Sequence, residues 1–206
     1  MFTLHCLFYY GFLVIFGGGL FWISAKSYML RQVPAATNSS YDYRNLPFSW
    51  SKVQLVWWTW IIISSFTAIT VSCFEIPDVD PSTLILLGMS AVTFTAAKGM
   101  NSLNDTPANY GNDPNVFFSR GFLMDIVTDE NGVSLARLQH LLFNFLYGLW
   151  YIVDVVKHLI KPPGGGENAI LPHFSGDDLI LIGISSAAYT AMKVIEKRPK
   201  KAPGRP

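Results

Sequence analysis

Two sets of polar residues recur at fixed spacing in a chain that is otherwise strongly apolar. Ser49, Lys52 and Gln54 are matched 85 residues later by Ser134, Arg137 and Gln139, and Lys98 is matched 95 residues later by Lys193. A basic side chain two residues before an amide at a helix start supports two chemistries. The cation can anchor the helix at an anionic membrane surface while the amide finds a hydrogen bond on a neighbouring helix. Alternatively, Lys52, Gln54, Lys98 and their counterparts can ring a vestibule for anions or a nucleotide. Anchoring and packing account for the recurrence more simply, since both copies place these residues at one depth.

Asn144 and Asp154 break the match, standing where the first copy has Thr59 and Ile69. Polar and ionisable groups inside a membrane segment are functional candidates by default. Asp154 falls roughly 22 Å of helix beyond Gln139, near the outer boundary, with Lys157 three residues on as a surface partner. His5, His140, His158 and His173 lack metal-ligand spacing, and the two cysteines, Cys6 and Cys73, make no zinc or disulfide framework. Both cysteines fall near the outer face, as a bridge or as two free thiols. The sequence contains no nucleophile elbow, phosphate loop or paired-carboxylate arrangement. The expectation is therefore no enzyme, no catalytic residue, no metal and no cofactor.

The elements that carry these residues are apolar helices. Of the 206 residues, 50% are hydrophobic, 15% aromatic and only 14% charged, well outside the usual soluble composition. The polar repeats open and close a duplicated hairpin, residues 49–98 and 134–195, preceded by an apolar run at 7–24. Pro77, Leu84, Gly88, Ser90 and Thr95 recur as Pro172, Leu179, Gly183, Ser185 and Thr190. The small residues Gly88, Ser90, Gly183 and Ser185 mark the face on which helices approach closely. The expected architecture is an all-α membrane protein of about five transmembrane helices, an N-terminal helix and two parallel-repeat hairpins. Its parts are an N-terminal helix (1–25), a cytoplasmic linker (26–48), the first hairpin (49–98) and a cytoplasmic loop with an amphipathic helix (99–133). The second hairpin (134–195) and a basic cytoplasmic tail (196–206) complete the chain. The second arm of the first hairpin, 83–98, is short for a span. Trp57, Trp58 and Trp60 read as an interfacial aromatic belt.

Charge sets the orientation. With the N-terminus outside, all but Lys157 and Lys161 of the 15 Lys and Arg fall on the cytoplasmic side, as the positive-inside bias requires.

The paired pattern S-x-x-[KR]-x-Q at a helix start and G-[MI]-S-x-x-x-[FY]-T-x-x-K at a helix end resembles a family of poorly characterised bacterial integral membrane proteins. The resemblance covers about residues 49–98 and 134–193 and implies the bacterial inner membrane, without implying an activity. In size alone the chain also resembles membrane-permeabilising effectors of anti-phage defence. Two functions are compatible with the sequence. One is an oligomeric pore or channel-like protein, an effector or sensor of defence or stress. The other is a non-conducting scaffold or sensor that recruits a cytoplasmic partner through residues 99–133 and the basic tail. The expected partners are the lipid bilayer, further copies of the chain and such a cytoplasmic protein, with no nucleic acid.

Overall fold

The computed structural model describes residues 2–31, 46–73, 76–104, 119–129, 132–160 and 171–196. Much of the linker, the segment 105–118, the loop 161–170 and the basic tail from 197 lie outside the described residues. So do the side chains of Cys6, Cys73 and Lys193. Six helices are described: α1 (Phe2–Ser27), α2 (Trp50–Cys73), α3 (Pro81–Asn104), α4 (Phe122–Val127), α5 (Leu135–Ile160) and α6 (Gly176–Glu196). A two-residue hairpin, β1 (Thr128–Asp129) with β2 (Gly132–Val133), sits between α4 and α5.

The helix starts follow from local sequence. Ser49 and Ser134 immediately precede α2 and α5, and their carbonyls accept from Val53 N–H (3.1 Å) and Leu138 N–H (3.0 Å). Pro81 opens α3, where its missing N–H costs nothing, and the Asp80 carboxylate accepts the Ser82 N–H at 2.7 Å. Ser175 and Asp178 form a reciprocal capping box at α6. The Ser175 hydroxyl accepts from Asp178 N–H, and the Asp178 carboxylate accepts from Ser175 N–H, each at 3.2 Å. The helix α3 runs through Gly99 to Asn104 and is longer than the short arm 83–98 expected from apolarity alone.

The helices pack as α2 on α3 and α5, and α6 on α3 and α5, with α1 laid against α2 and α5. The two hairpins therefore stand side by side. Gln54 meets His140 and Trp58 meets Asn144, both at the same sequence separation, so α2 and α5 run in parallel. We call the end where α2 and α5 begin proximal and the opposite end distal. At the distal end the loops are stitched together. Leu171 N–H donates to the Asp78 carbonyl (3.3 Å), and Phe174 N–H donates to the Ser82 hydroxyl (3.0 Å).

Trp58 is fully buried, and Trp57 and Trp60 are half-buried against neighbouring helices. The indole of Trp60 donates to the Leu13 carbonyl on α1 at 3.0 Å, and that of Trp57 donates to the Asn144 carbonyl on α5 at 3.3 Å. Glycines make room for both rings. A Cβ at Gly17 would stand 2.8 Å from Trp60, and one at Gly148 would stand 2.6 Å from Trp57.

Only Leu7–Ser24 and Trp50–Ser72 are long and apolar enough to cross a membrane among the described residues, against the five spans expected; Pro81–Ala96 is a shorter apolar helix. Yet the outward faces of the other helices are apolar too. On α5, Leu142, Phe145, Leu146, Leu149, Trp150 and Val153 are exposed along one helical stripe, while the buried side carries His140 and Asn144. Ile180, Leu181 and Ile184 do the same on α6. This polarity is the reverse of that of a soluble amphipathic helix.

Candidate functional site

The centre of the bundle holds a connected set of polar side chains contributed by three helices. His140 and Asn144 lie one turn apart on the buried face of α5, so both point toward α2 and α6. His140 Nε2 lies 3.0 Å from Gln54 Oε1 on α2, and His140 Nδ1 lies 3.0 Å from the Ser185 hydroxyl on α6. Asn144 Nδ2 donates to the His140 carbonyl at 2.8 Å and approaches His140 Nδ1 at 3.2 Å. The remaining polar end of Asn144, its Oδ1, accepts the Trp58 indole N–H at 2.8 Å. The tautomer with Nε2–H donating to Gln54 lets Nδ1 accept from Asn144, while the Ser185 hydroxyl directs its one proton to the Ile182 carbonyl at 2.8 Å. Trp50 packs edge-on against the imidazole and Tyr189 stacks on it, with ring centroids 5.7 and 5.5 Å away. His140, Asn144 and Trp58 are fully enclosed. Gln54 Nε2 and Trp50 Nε1 are buried donors with no hydrogen-bond partner, and each such donor costs about 1–3 kcal/mol.

The structure divides the residues singled out by sequence. Gln54, Asn144 and Ser185 are brought together at the centre. Gln139 is exposed, although it is the repeat mate of Gln54, because one residue of helix turns the side chain by 100° and gives the inward position to His140. Asp154 lies away from the centre, 3.9 Å from Lys157 and 3.6 Å from His158. Among the packing residues, Ser90 is buried and donates to the Leu86 carbonyl (3.1 Å), and Gly183 faces the Met89 sulfur. Gly88 faces outward, and a Cβ there would meet nothing within 4 Å.

His140 was not visible as a site residue from sequence. It lacks a second histidine at ligand spacing, and its partners lie 86 and 45 residues away. The one local signal was the His140-x-x-x-Asn144 pair within an apolar run, which places two polar groups on one helical face.

The basic residues sit at the proximal end. Lys52 Nζ donates to the Arg31 carbonyl at 2.8 Å, and Lys98 is exposed. Arg137 donates to the Thr128 carbonyl at 2.6 Å and lies over the Tyr189 ring. Beside them Asp125 clamps α4 to the entry of α2. Its carboxylate accepts Phe48 N–H (3.1 Å), the Ser119 hydroxyl (2.6 Å) and Arg120 N–H (2.8 Å). Ile126 is buried against Trp50 and Tyr189, while Phe122, Leu123 and Met124 are exposed.

Two carboxylates organise the distal end. Burial pushes the Asp80 carboxyl upward, but hydrogen bonds from Ser82 and the neighbouring His173 outweigh this and hold it below its ordinary value. The Ser175 hydroxyl lowers Asp178 against the opposing effect of burial, and Tyr147 and the Ser175 N–H lower it further. Tyr147 and Asp178, 2.9 Å apart, border an open groove of about 360 Å³ with Phe143, Leu146 and Trp150. Among the described residues no group of His, Cys, Asp and Glu could hold a metal ion.

No protein family, curated protein or solved structure matches the chain. The site is therefore read from its own geometry.

Proposed function

We propose that the chain is a multi-pass protein of the bacterial inner membrane that acts as a non-conducting scaffold or sensor. In this reading the proximal end faces the cytoplasm and the N-terminus lies outside. The single observation that carries it is the reversed polarity of the bundle. Gln54, His140, Asn144 and Ser185 are spent on one another in the interior, and the outward faces of α5 and α6 are apolar. In hydrocarbon, polar groups must find partners inside the protein, whereas an apolar exterior costs nothing. The same arrangement would penalise a bundle standing in water. It also explains why α5 and α6 fall short of a span by hydropathy, since their polar residues are on the buried side.

The enclosed centre, filled by Trp58 and His140, suits a protomer that transmits or presents rather than one that conducts. The α4 segment, fixed to α2 by Asp125, supplies the cytoplasmic surface for a partner. The experiment is cysteine labelling in intact cells and inverted vesicles. Single cysteines at exposed positions 98 and 120 should label only in inverted vesicles, and one at 173 only in intact cells. Labelling of all three from the same side would end the multi-pass reading.

A second reading, a homo-oligomeric pore serving defence or stress, is favoured by one feature. Gly88, Ala91, Thr95 and Lys98 form an exposed line of small and polar residues on α3, the kind of surface on which membrane helices meet. Conduction would then run between protomers. Planar-bilayer recordings of the purified chain decide between the readings: currents reduced by modifying a cysteine at position 95 would favour the pore.

A further inference from the structure

The groove of about 360 Å³ at the start of α6 combines a fixed carboxylate with aromatic walls. Asp178 is held from two sides. Its Oδ2 accepts the Ser175 hydroxyl at 2.6 Å and the Ser175 N–H at 3.2 Å, and its Oδ1 accepts the Tyr147 hydroxyl at 2.9 Å. A carboxylate offers about four acceptor sites, so one remains on Oδ1. Among the described residues the ion pairs lie at Asp80 and Asp154, and no cation pairs with Asp178. Phe143, Leu146, Tyr147 and Trp150 line the groove, following one another at three- and four-residue spacing on one face of α5. Buried Phe174 lies 6.1 Å from the Tyr147 ring and 5.2 Å from the Trp150 ring, and so props both in place. Leu146 and Trp150 also belong to the exposed apolar stripe of α5, so the groove is continuous with that stripe.

We propose that this groove binds the primary ammonium headgroup of an aminophospholipid, with the ammonium at Asp178 and an acyl chain along Leu146 and Phe143. An unneutralised carboxylate beside aromatic faces selects a cation, and the acceptor site left on Oδ1 selects one with an N–H to donate. The apolar continuation selects a cation that carries a hydrocarbon chain. Direction agrees with this occupant. Asp178 stands in the first turn of α6, at its distal end, and from Tyr147 the groove continues past Leu146 to Phe143, toward the proximal end. In the membrane reading above, on which this proposal rests, the ammonium lies toward the outer headgroups and the chain points into the bilayer. The open side of the groove leaves the lipid phosphate in water.

The test uses the full chain in phosphatidylglycerol nanodiscs that contain a minor fraction of phosphatidylethanolamine or phosphatidylcholine, with retained lipid read by native mass spectrometry. Phosphatidylethanolamine should be retained in preference to the host lipid, and to phosphatidylcholine, which has the charge but no N–H. Its retention should fall about tenfold with Asp178→Asn and about fivefold with Trp150→Leu. Asp177→Asn, at the exposed neighbouring acid outside the groove, should match the unsubstituted chain. Trp150 is partly exposed and keeps the test decisive if Asp178→Asn does not fold. Equal retention in Trp150→Leu and Asp177→Asn, or equal retention of phosphatidylcholine, would overturn the proposal while leaving the chain in the bilayer. Stabilisation by soluble ethanolamine without any lipid preference would overturn the lipid as occupant. A chain that stays in solution without detergent would overturn the membrane reading and the lipid occupant together.

Discussion

His140 Nε2 and Gln54 Oε1 stand 3.0 Å apart in the sealed centre of the bundle, joining the first arm of one hairpin to the first arm of the other. Because the repeat mate Gln139 is exposed, the pair isolates what the interior position contributes. His140→Leu should destabilise the protein by about 1–3 kcal/mol, since it leaves the buried Gln54 Oε1 without its partner. Gln139→Leu should stay within about 0.5 kcal/mol. A double-mutant cycle on Gln54 and His140, measured by denaturant unfolding in mixed micelles, should give a coupling of about 0.6–1.7 kcal/mol. A coupling near zero would mean that this contact adds nothing net to the joining of the two hairpins.

The glycines beneath the tryptophans give a sharper steric test. Gly148→Ala would place a methyl group 2.6 Å from the Trp57 ring, and Gly17→Ala would place one 2.8 Å from Trp60. Each should cost about 1–3 kcal/mol through overpacking and change the tryptophan emission. Gly88→Ala meets nothing within 4 Å and should leave the monomer's stability unchanged. A stability loss at Gly88 seen only in an assembled state would locate a subunit contact on α3.

Asp125 collects three hydrogen bonds from two segments of chain. Asp125→Ala should release α4 and the following hairpin while sparing the bundle. Hydrogen exchange would detect this as faster exchange at residues 119–133, with the amides of α2 and α5 unchanged. Uniform acceleration through all helices would show that the clamp belongs to the global folding unit.

The distal carboxylates predict an acid limb. The pKa values of Asp80 and Asp178 are both held below the ordinary value of 3.8 in the folded protein. A depressed carboxylate stabilises the fold above its unfolded pKa, and that contribution disappears as pH falls through the folded value. The thermal midpoint should therefore be insensitive to these two groups between about pH 5 and 8 and should decline below about pH 4. In the Asp80→Asn/Asp178→Asn double variant the decline should be smaller. An unchanged acid limb would assign it to other carboxylates.

The duplicated hairpin was legible because its markers are local: Ser before each first arm, a proline in each turn, and a small-residue pattern on each second arm. The parallel pairing of α2 with α5 then follows from the repeat. Asn144 stood out as an amide in an apolar run. His140 did not, because what makes it central is a tertiary arrangement of Gln54, Ser185, Trp50 and Tyr189 around it. Periodicity cannot reveal which of two adjacent residues, Gln139 or His140, turns inward when both are polar. The seats of Trp57 and Trp60 were hidden for a related reason. An indole suits a headgroup boundary and a helix interface equally, and the glycines that decide between these settings lie on other helices.

The indoles of Trp57 and Trp60 are bound to the main-chain carbonyls of Asn144 and Leu13. A carbonyl belongs to every residue type, so these two fastenings are insulated from mutation at the positions that accept them. Side chains on α1 and α5 can drift in sequence while α2 keeps its seat, provided that the adjoining glycines are retained. Among diverging descendants of this chain, the tryptophans and glycines should outlast the residues around them.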